Sequence, residues 1–242
     1  MQQAINEPSS NPFRVARAFW RFIKDPANNT KDVLLVEDTF FRRKLLRRFA
    51  RWEEVAERLK ADPRTARAFE LRPRLATPDI DALAALPPGT LGRALGQHFQ
   101  SYGLNPRLFQ PLPDNCDGEF VMAHLLETHD VWHIVTGFGT DLEGEFALTA
   151  FYAMQTGATA TTLLLALGLA NTTLFESAAV APRVAAIAAG VSAASAAEPL
   201  FGVDWTQYWE MPLREVRNRC SISTVPGVGK GILTDHGLPA AA

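Results

Sequence analysis

The sequence predicts an all-α protein, a single mostly helical domain. Nearly every long segment repeats its apolar residues at the helical period, and none sustains the two-residue alternation of a strand. A chain of 242 residues, 47% hydrophobic and 21% charged, buries a large core without covalent staples and is too apolar to be disordered. The two cysteines, Cys116 and Cys220, cannot make a disulfide framework or a Cys-rich zinc site, so a reducing compartment is expected.

Residues 13–23 set Phe13, Ala16, Trp20 and Ile23 on recurring faces, and Asp25 with Pro26 stops that helix. Residues 31–46 and 52–60 continue in the same style, and Asp62 with Pro63 opens a further short helix. Pro73, Pro78, Pro87 and Pro88 make 71–90 irregular around a short helix at 79–86. Between Glu145 and Glu176 no charged residue occurs, a length that alone would flag a membrane span. Gln155, Thr156 and Gly157 break that run and hydroxyls punctuate it, so it reads as two buried helices, 141–155 and 159–170. A further uncharged stretch, 184–197, is almost all Ala, Val, Ser and Gly. Such small residues allow close helix packing, or leave an apolar groove for a long thin ligand.

Charge is divided unevenly. Residues 1–75 carry 17 Lys and Arg against 10 Asp and Glu, while the remainder carries 7 against 16. A basic first third suits a membrane surface or an acidic partner. Nucleic acid is not expected as a partner: no binding motif is present and the pI is about 6.2. No targeting signal is seen at the start. No P-loop is present either, since Gly227, Val228, Gly229 and Lys230 lack its spacing and the following Ser or Thr.

The chemistry concentrates at 127–145. His129 and His133, spaced i, i+4, place two imidazoles on one helix face, the arrangement by which a helix supplies two nitrogen ligands to one metal. Asp130 lies about 100° around the same turn, close enough to ligate or to orient a bound water. Gly137, Phe138 and Gly139 end the helix, and Thr140 with Glu143 resembles a capping box opening the next. In one continuous helix Glu145 would stand roughly 18 Å from His133. The glycine turn folds it back instead, giving a helix–turn–helix metal site of His129, Asp130, His133 and Glu145. That donor set suits a divalent metal: zinc first, with manganese and non-haem iron left open by ligand type. A zinc peptidase would need Glu where Asp130 stands, and a di-metal carboxylate site would need Glu-x-x-His twice. His98, His124 and His236 have no such neighbours and read as structural.

These residues resemble the coenzyme Q biosynthesis protein four family of ubiquinone synthesis. Its signature is His-Asp-x-x-His followed after 11 residues by Glu, matched by His129, Asp130, His133 and Glu145. Arg72 and Arg74, the run Gly89, Thr90, Leu91 and Gly92, and Pro212 through Arg217 extend the resemblance from about residue 70 to 222. The expected organisation is a basic helical part at 1–70, a family-like core at 70–222 and a flexible tail at 223–242. The resemblance implies a helical protein peripherally attached to the inner face of a bacterial membrane, on its cytoplasmic side. It would bind a polyprenylated hydroxybenzoate, work alongside other quinone-biosynthesis proteins, and support metal-dependent oxidative decarboxylation of the ring; a homodimer is left open. Arg72 and Arg74 are head-group candidates. The alternative is a non-catalytic isoprenoid-binding scaffold that organises the pathway's enzymes. For membrane contact the candidate is an amphipathic basic helix at 40–52.

Overall fold

The computed structural model describes residues 51–75, 77–104, 106, 112–222 and 228, and every regular element among them is a helix. The helices expected at 13–23 and 31–46, the basic segment 40–52 apart from its last two residues, and nearly all of the tail lie outside the described residues.

Helix α1 (Trp52–Ala61) ends at Asp62, whose carboxylate accepts the Arg64 amide at 2.9 Å and caps α2 (Pro63–Ala66). After α3 (Ala68–Leu71) the chain runs irregularly to α4 (Ile80–Ala84), capped by Asp79. Helix α5 (Leu91–Tyr102) is capped by the Thr90 hydroxyl and closed by Gly103 in the left-handed region. Then come α6 (Asp117–Glu127), α7 (His129–Thr136), α8 (Leu142–Thr156), α9 (Thr159–Phe175), α10 (Val180–Ala196) and α11 (Leu213–Arg219). The uncharged run thus breaks at Gly157 as expected, but only α8 is largely buried; in α9 burial is confined to Ala160, Asn171 and Thr172, because one face alone packs on the core. Helix α9 continues five residues beyond the predicted end because Thr172 and Thr173 turn their hydroxyls back to the Gly168 and Leu169 carbonyls, which keeps them compatible with helix.

The core gathers Trp132, Trp205, Phe120, Phe151, Leu91, Leu95 and Leu148, all essentially inaccessible. Its most extensive helix pair is α8 against α10. Small residues there serve close approach: a Cβ on Gly190 would lie 2.0 Å from the Ala147 carbonyl oxygen. Arg183, the sole charge of α10, points inward and is buried. Its guanidinium donates to Thr172 Oγ1 at 2.7 Å, pairs with Glu176 and approaches Glu143 at 3.6 Å, so the buried charge is compensated.

The outer faces of α9 and α10 differ from an ordinary soluble surface. Leu163, Leu174, Phe175, Val180, Val184 and Val191 are exposed there. The continuous stretch Ser177–Ala196, with mean hydropathy 1.4, is long and apolar enough to cross a membrane by length and composition, and only 22% of an apolar 18-residue window within it is buried. This segment, and not 146–175, is the one that passes that test among the described residues.

The run Gly89 to Gly92 works as a clasp. The Leu91 amide donates to Met211 O at 3.0 Å, the Gly92 amide to Trp209 O at 2.9 Å, and the Leu213 amide to Gly89 O at 2.8 Å. A side chain at Gly92 would meet Leu86 and the Trp209 carbonyl, so glycine is required by space. The clasp holds α11 beside α5 and α7, where Arg217 is buried. Its Nε and Nη2 donate to the Val135 and Ile134 carbonyls at 3.0 and 2.8 Å, capping the end of α7 from across the fold.

Candidate metal centre

Helices α6 and α7 meet at Thr128, whose φ of −97° and ψ of 3° interrupt regular helix. Its hydroxyl donates to the His124 carbonyl at 2.7 Å. From α7 the His129 and His133 side chains rise on one face, with their Nε2 atoms 3.1 Å apart. Gly137, at φ 79°, ends the helix by donating its amide to the His133 carbonyl at 2.8 Å. The next carbonyl, Phe138 O, lies 3.2 Å from His133 Nδ1. A carbonyl can only accept, so Nδ1 carries a proton, and Nε2 is the ring nitrogen that faces the site.

The turn-back uses a different cap from the one expected. Asp141, not Thr140, caps α8: its Oδ1 accepts the Gly144 amide at 3.0 Å. With Asp141 as the cap, Gly144 and not Glu143 stands at the third helical position, so no capping box forms; the Glu143 carboxylate instead approaches Arg183 Nε at 3.6 Å. Gly144 lies directly on the Gly139 carbonyl, and this contact brings Glu145 over the histidines. Glu145 Oε1 stands 3.2 Å from His133 Nε2 and its Oε2 3.8 Å from His129 Nε2. One ligand atom from each of the three residues falls within a 4.8 Å group.

The donor chemistry fits a divalent metal. Ligands about 2.0–2.1 Å from a tetrahedral or octahedral ion lie roughly 3–3.4 Å from one another. Two of the three separations already meet that. The side chain of His133 is 2% exposed and that of Glu145 40%, so the cluster is rooted in the core and open on the glutamate side. Burial pulls the Glu145 carboxyl up, but His133 and His129 outweigh it and hold it well below the usual carboxylate range.

Asp130 does not join this group. Its Oδ1 lies 3.2 Å from His98 Nε2 on α5, while its charge remains near both His129 and His133. Burial raises the Asp130 carboxyl, but the His98 hydrogen bond and the His129 charge together leave it below its ordinary value. His98 therefore belongs to the neighbourhood of the site, contrary to the expectation of a purely structural role. One sequence signal could have found it: His98 sits on the apolar stripe of α5 with Leu91, Ala94, Leu95 and Tyr102, a position where a buried imidazole needs a partner. His236 lies outside the described residues. His124 is structural: its Nδ1 donates to Pro73 O and its Nε2 accepts the Gly202 amide, both at 3.0 Å.

Tyr152 forms the wall behind the site, its ring nearly parallel to Trp132 at 4.3 Å and to His129 at 6.0 Å. Burial first, then the charges of Asp130 and Glu145, push its phenol well above the usual value. It therefore stays protonated and donates to the Leu125 carbonyl at 3.3 Å.

Arg72 and Arg74 are placed elsewhere in role. Arg72 donates to Asp117 Oδ1 at 2.8 Å and to the Asp114 and Cys116 carbonyls at 2.7 and 3.0 Å. Arg74 grips Glu127 and pairs with Asp114 at 3.0 Å. Both guanidinium groups tie the irregular 72–75 segment to α6 and the turn before it, and a head-group role gains no support from their geometry.

The family model for the coenzyme Q (ubiquinone) biosynthesis protein Coq4 matches residues 48–226, beginning ahead of α1 and so earlier than the motifs alone suggested. Among curated proteins, the mitochondrial ubiquinone biosynthesis protein COQ4 homolog of Danio rerio is 34% identical over 108 residues, 43% of this chain and 40% of its own length. The Homo sapiens homolog is 30% identical over 107 residues, with the same shares covered. The matched segment thus spans about two fifths of the length of these relatives. A crystal structure from Nostoc punctiforme, provisionally described as a ubiquinone biosynthesis protein, aligns with a TM-score of 0.72 and 26% identity, covering 88% of this chain and 99% of that one. The family match takes in the whole His129–Glu145 centre and the Gly89–Gly92 clasp together, and on it the chain belongs to the coenzyme Q (ubiquinone) biosynthesis protein Coq4 family.

Proposed function

We propose that this protein acts in the synthesis of ubiquinone or a related prenylquinone. It binds a polyprenylated hydroxybenzoate and supports its oxidative decarboxylation: the ring carboxylate leaves as carbon dioxide, a hydroxyl takes its place, and dioxygen is the co-substrate that accepts the two electrons this exchange releases. The observation that carries this reading is the convergence of His129, His133 and Glu145 at the mouth of α8, followed by 30 residues without a charge. A divalent metal held there would act as a Lewis acid on a ring carboxylate or phenolate. His133, fixed by Phe138 O, and Glu145, fixed by the Gly139–Gly144 contact, keep the donors aimed. The Tyr152 and Trp132 rings exclude water from the back of the site, and the apolar residues beyond Glu145 suit an isoprenoid tail.

Peripheral contact with a bilayer belongs to this reading. An isoprenoid is retained in the membrane by about 0.8 kcal/mol per buried methylene, so the protein must meet its substrate at the surface. The apolar exposed side of α9 and α10 supports that contact, and the basic segment 40–52 adds charge for anionic lipids. Other quinone-biosynthesis proteins are the expected partners at that surface.

The test is incubation of metal-loaded protein with a carboxyl-labelled polyprenyl hydroxybenzoate in air-saturated detergent buffer, with carbon dioxide release as the readout. Release by the wild type, abolished in Glu145→Gln while lipid still co-purifies, supports catalysis. Unchanged release in that variant overturns it. Lipid retention and partner binding with no release from either protein favours the scaffold reading.

A further inference from the structure

We propose that His98 is a positioning residue of the metal centre, acting through Asp130. The inference rests on the reading that His129, His133 and Glu145 hold a metal. His98 stands on α5, 32 residues before Asp130, and its side chain is buried to 2% exposure. Its Nε2 is 3.2 Å from Asp130 Oδ1, and its ring lies nearly parallel to that of His133, 6.5 Å away. Tyr102, on the next turn of α5, also packs near the ring, its centroid 5.1 Å from that of His98. Asp130 is the one carboxylate of α7 and is adjacent in sequence to a metal-binding histidine. An aspartate at that place has several rotamers. The His98 hydrogen bond selects one and holds the negative charge beside the two imidazoles, where it favours a bound cation. This is the support that outer hydrogen-bond partners give to metal ligands elsewhere, here supplied from a different helix.

Zinc affinity measured by competition with a chromophoric chelator tests the proposal on the full chain, with circular dichroism and unfolding of the metal-free protein run beside it. His98→Phe should weaken zinc binding by about 10- to 100-fold. His98→Gln, whose amide N–H can still reach Asp130, should recover most of that loss, which a merely space-filling role would not predict. Asp130→Asn should weaken binding comparably, and the double variant should be no weaker than Asp130→Asn alone, because both changes break one linkage. Should His98→Phe fail to fold, His98→Asn, too short to reach Asp130, should show the same loss. Wild-type affinity in the His98 variants, or losses that multiply in the double variant, overturns the proposal while leaving the metal site standing. A wild-type chain that takes up no zinc overturns the metal reading and this proposal together.

Discussion

Gly144 rests on the carbonyl of Gly139 so closely that a Cβ would lie 1.9 Å from the oxygen. No side chain fits between those backbones, and the contact sets the angle at which α8 leaves the turn. Glu145, the next residue, reaches the imidazoles for that reason. Gly144→Ala should therefore destabilise the fold by about 1–3 kcal/mol through overpacking, even though alanine is the better helix former. It should also lower zinc uptake, because Glu145 is displaced. Denaturant unfolding and metal content check this, and a fully stable, metal-binding variant would show that the turn is free to adjust.

Removing metal should have its own signature. A ligand that binds only the folded chain stabilises it by about 4 kcal/mol at a thousandfold excess over its Kd. Wild-type protein should lose thermal stability on chelation and regain it with zinc. Glu145→Gln should show the same melting temperature with and without zinc at concentrations that protect the wild type.

Arg217 anchors α7 from α11, with two donors spanning the Ile134 and Val135 carbonyls. Hydrogen bonds from a charged group are each worth about 1.5–3 kcal/mol. Arg217→Met should cost roughly 3–6 kcal/mol by this measure. Arg217→Lys should not restore it, since a single ammonium cannot bridge two carbonyls as a planar guanidinium does. Amide exchange should quicken at 134–137 in both variants.

His124 makes stability depend on acidity away from the metal centre. Burial depresses its pKa from 6.5 to about 4. The folded state thus prefers the neutral ring. Its contribution is fully present above pH 6.5 and is lost as pH falls from there toward 4, by roughly 3 kcal/mol at the limit. His124→Gln should be less stable at pH 7.5, where it loses the bridge from Pro73 to Gly202, but should fall less steeply over that window. Urea unfolding at several pH values reads the slopes directly.

Vesicle flotation addresses the outer face of α9 and α10. With anionic liposomes the wild type should float, and Leu174→Glu combined with Val184→Glu should reduce flotation at low and high salt alike. Substituting Arg43, Arg47 and Arg51 with Glu should remove the salt-sensitive part. Unchanged flotation in both sets would separate this protein's lipid encounter from these surfaces.

Helical period, the i, i+4 histidines and the Gly137 to Gly139 break were readable along the chain because each expresses relations within a few turns of backbone. They implied an all-α fold and a returning glutamate, and the structure brings His129, His133 and Glu145 together. The cap of α8 falls one residue later than expected because Asp141 takes it, and Glu143 is left to approach Arg183, forty positions later. Likewise Arg72 and Arg74 carry no local mark of their partners on α6, nor does Arg217 of the carbonyls it caps. The same holds for His98 and Asp130. Local pattern encodes which face of a helix is buried, but not which residue of another helix it will meet. That choice depends on side-chain volumes and close backbone approaches, such as Gly190 on Ala147, that act only once the helices have packed.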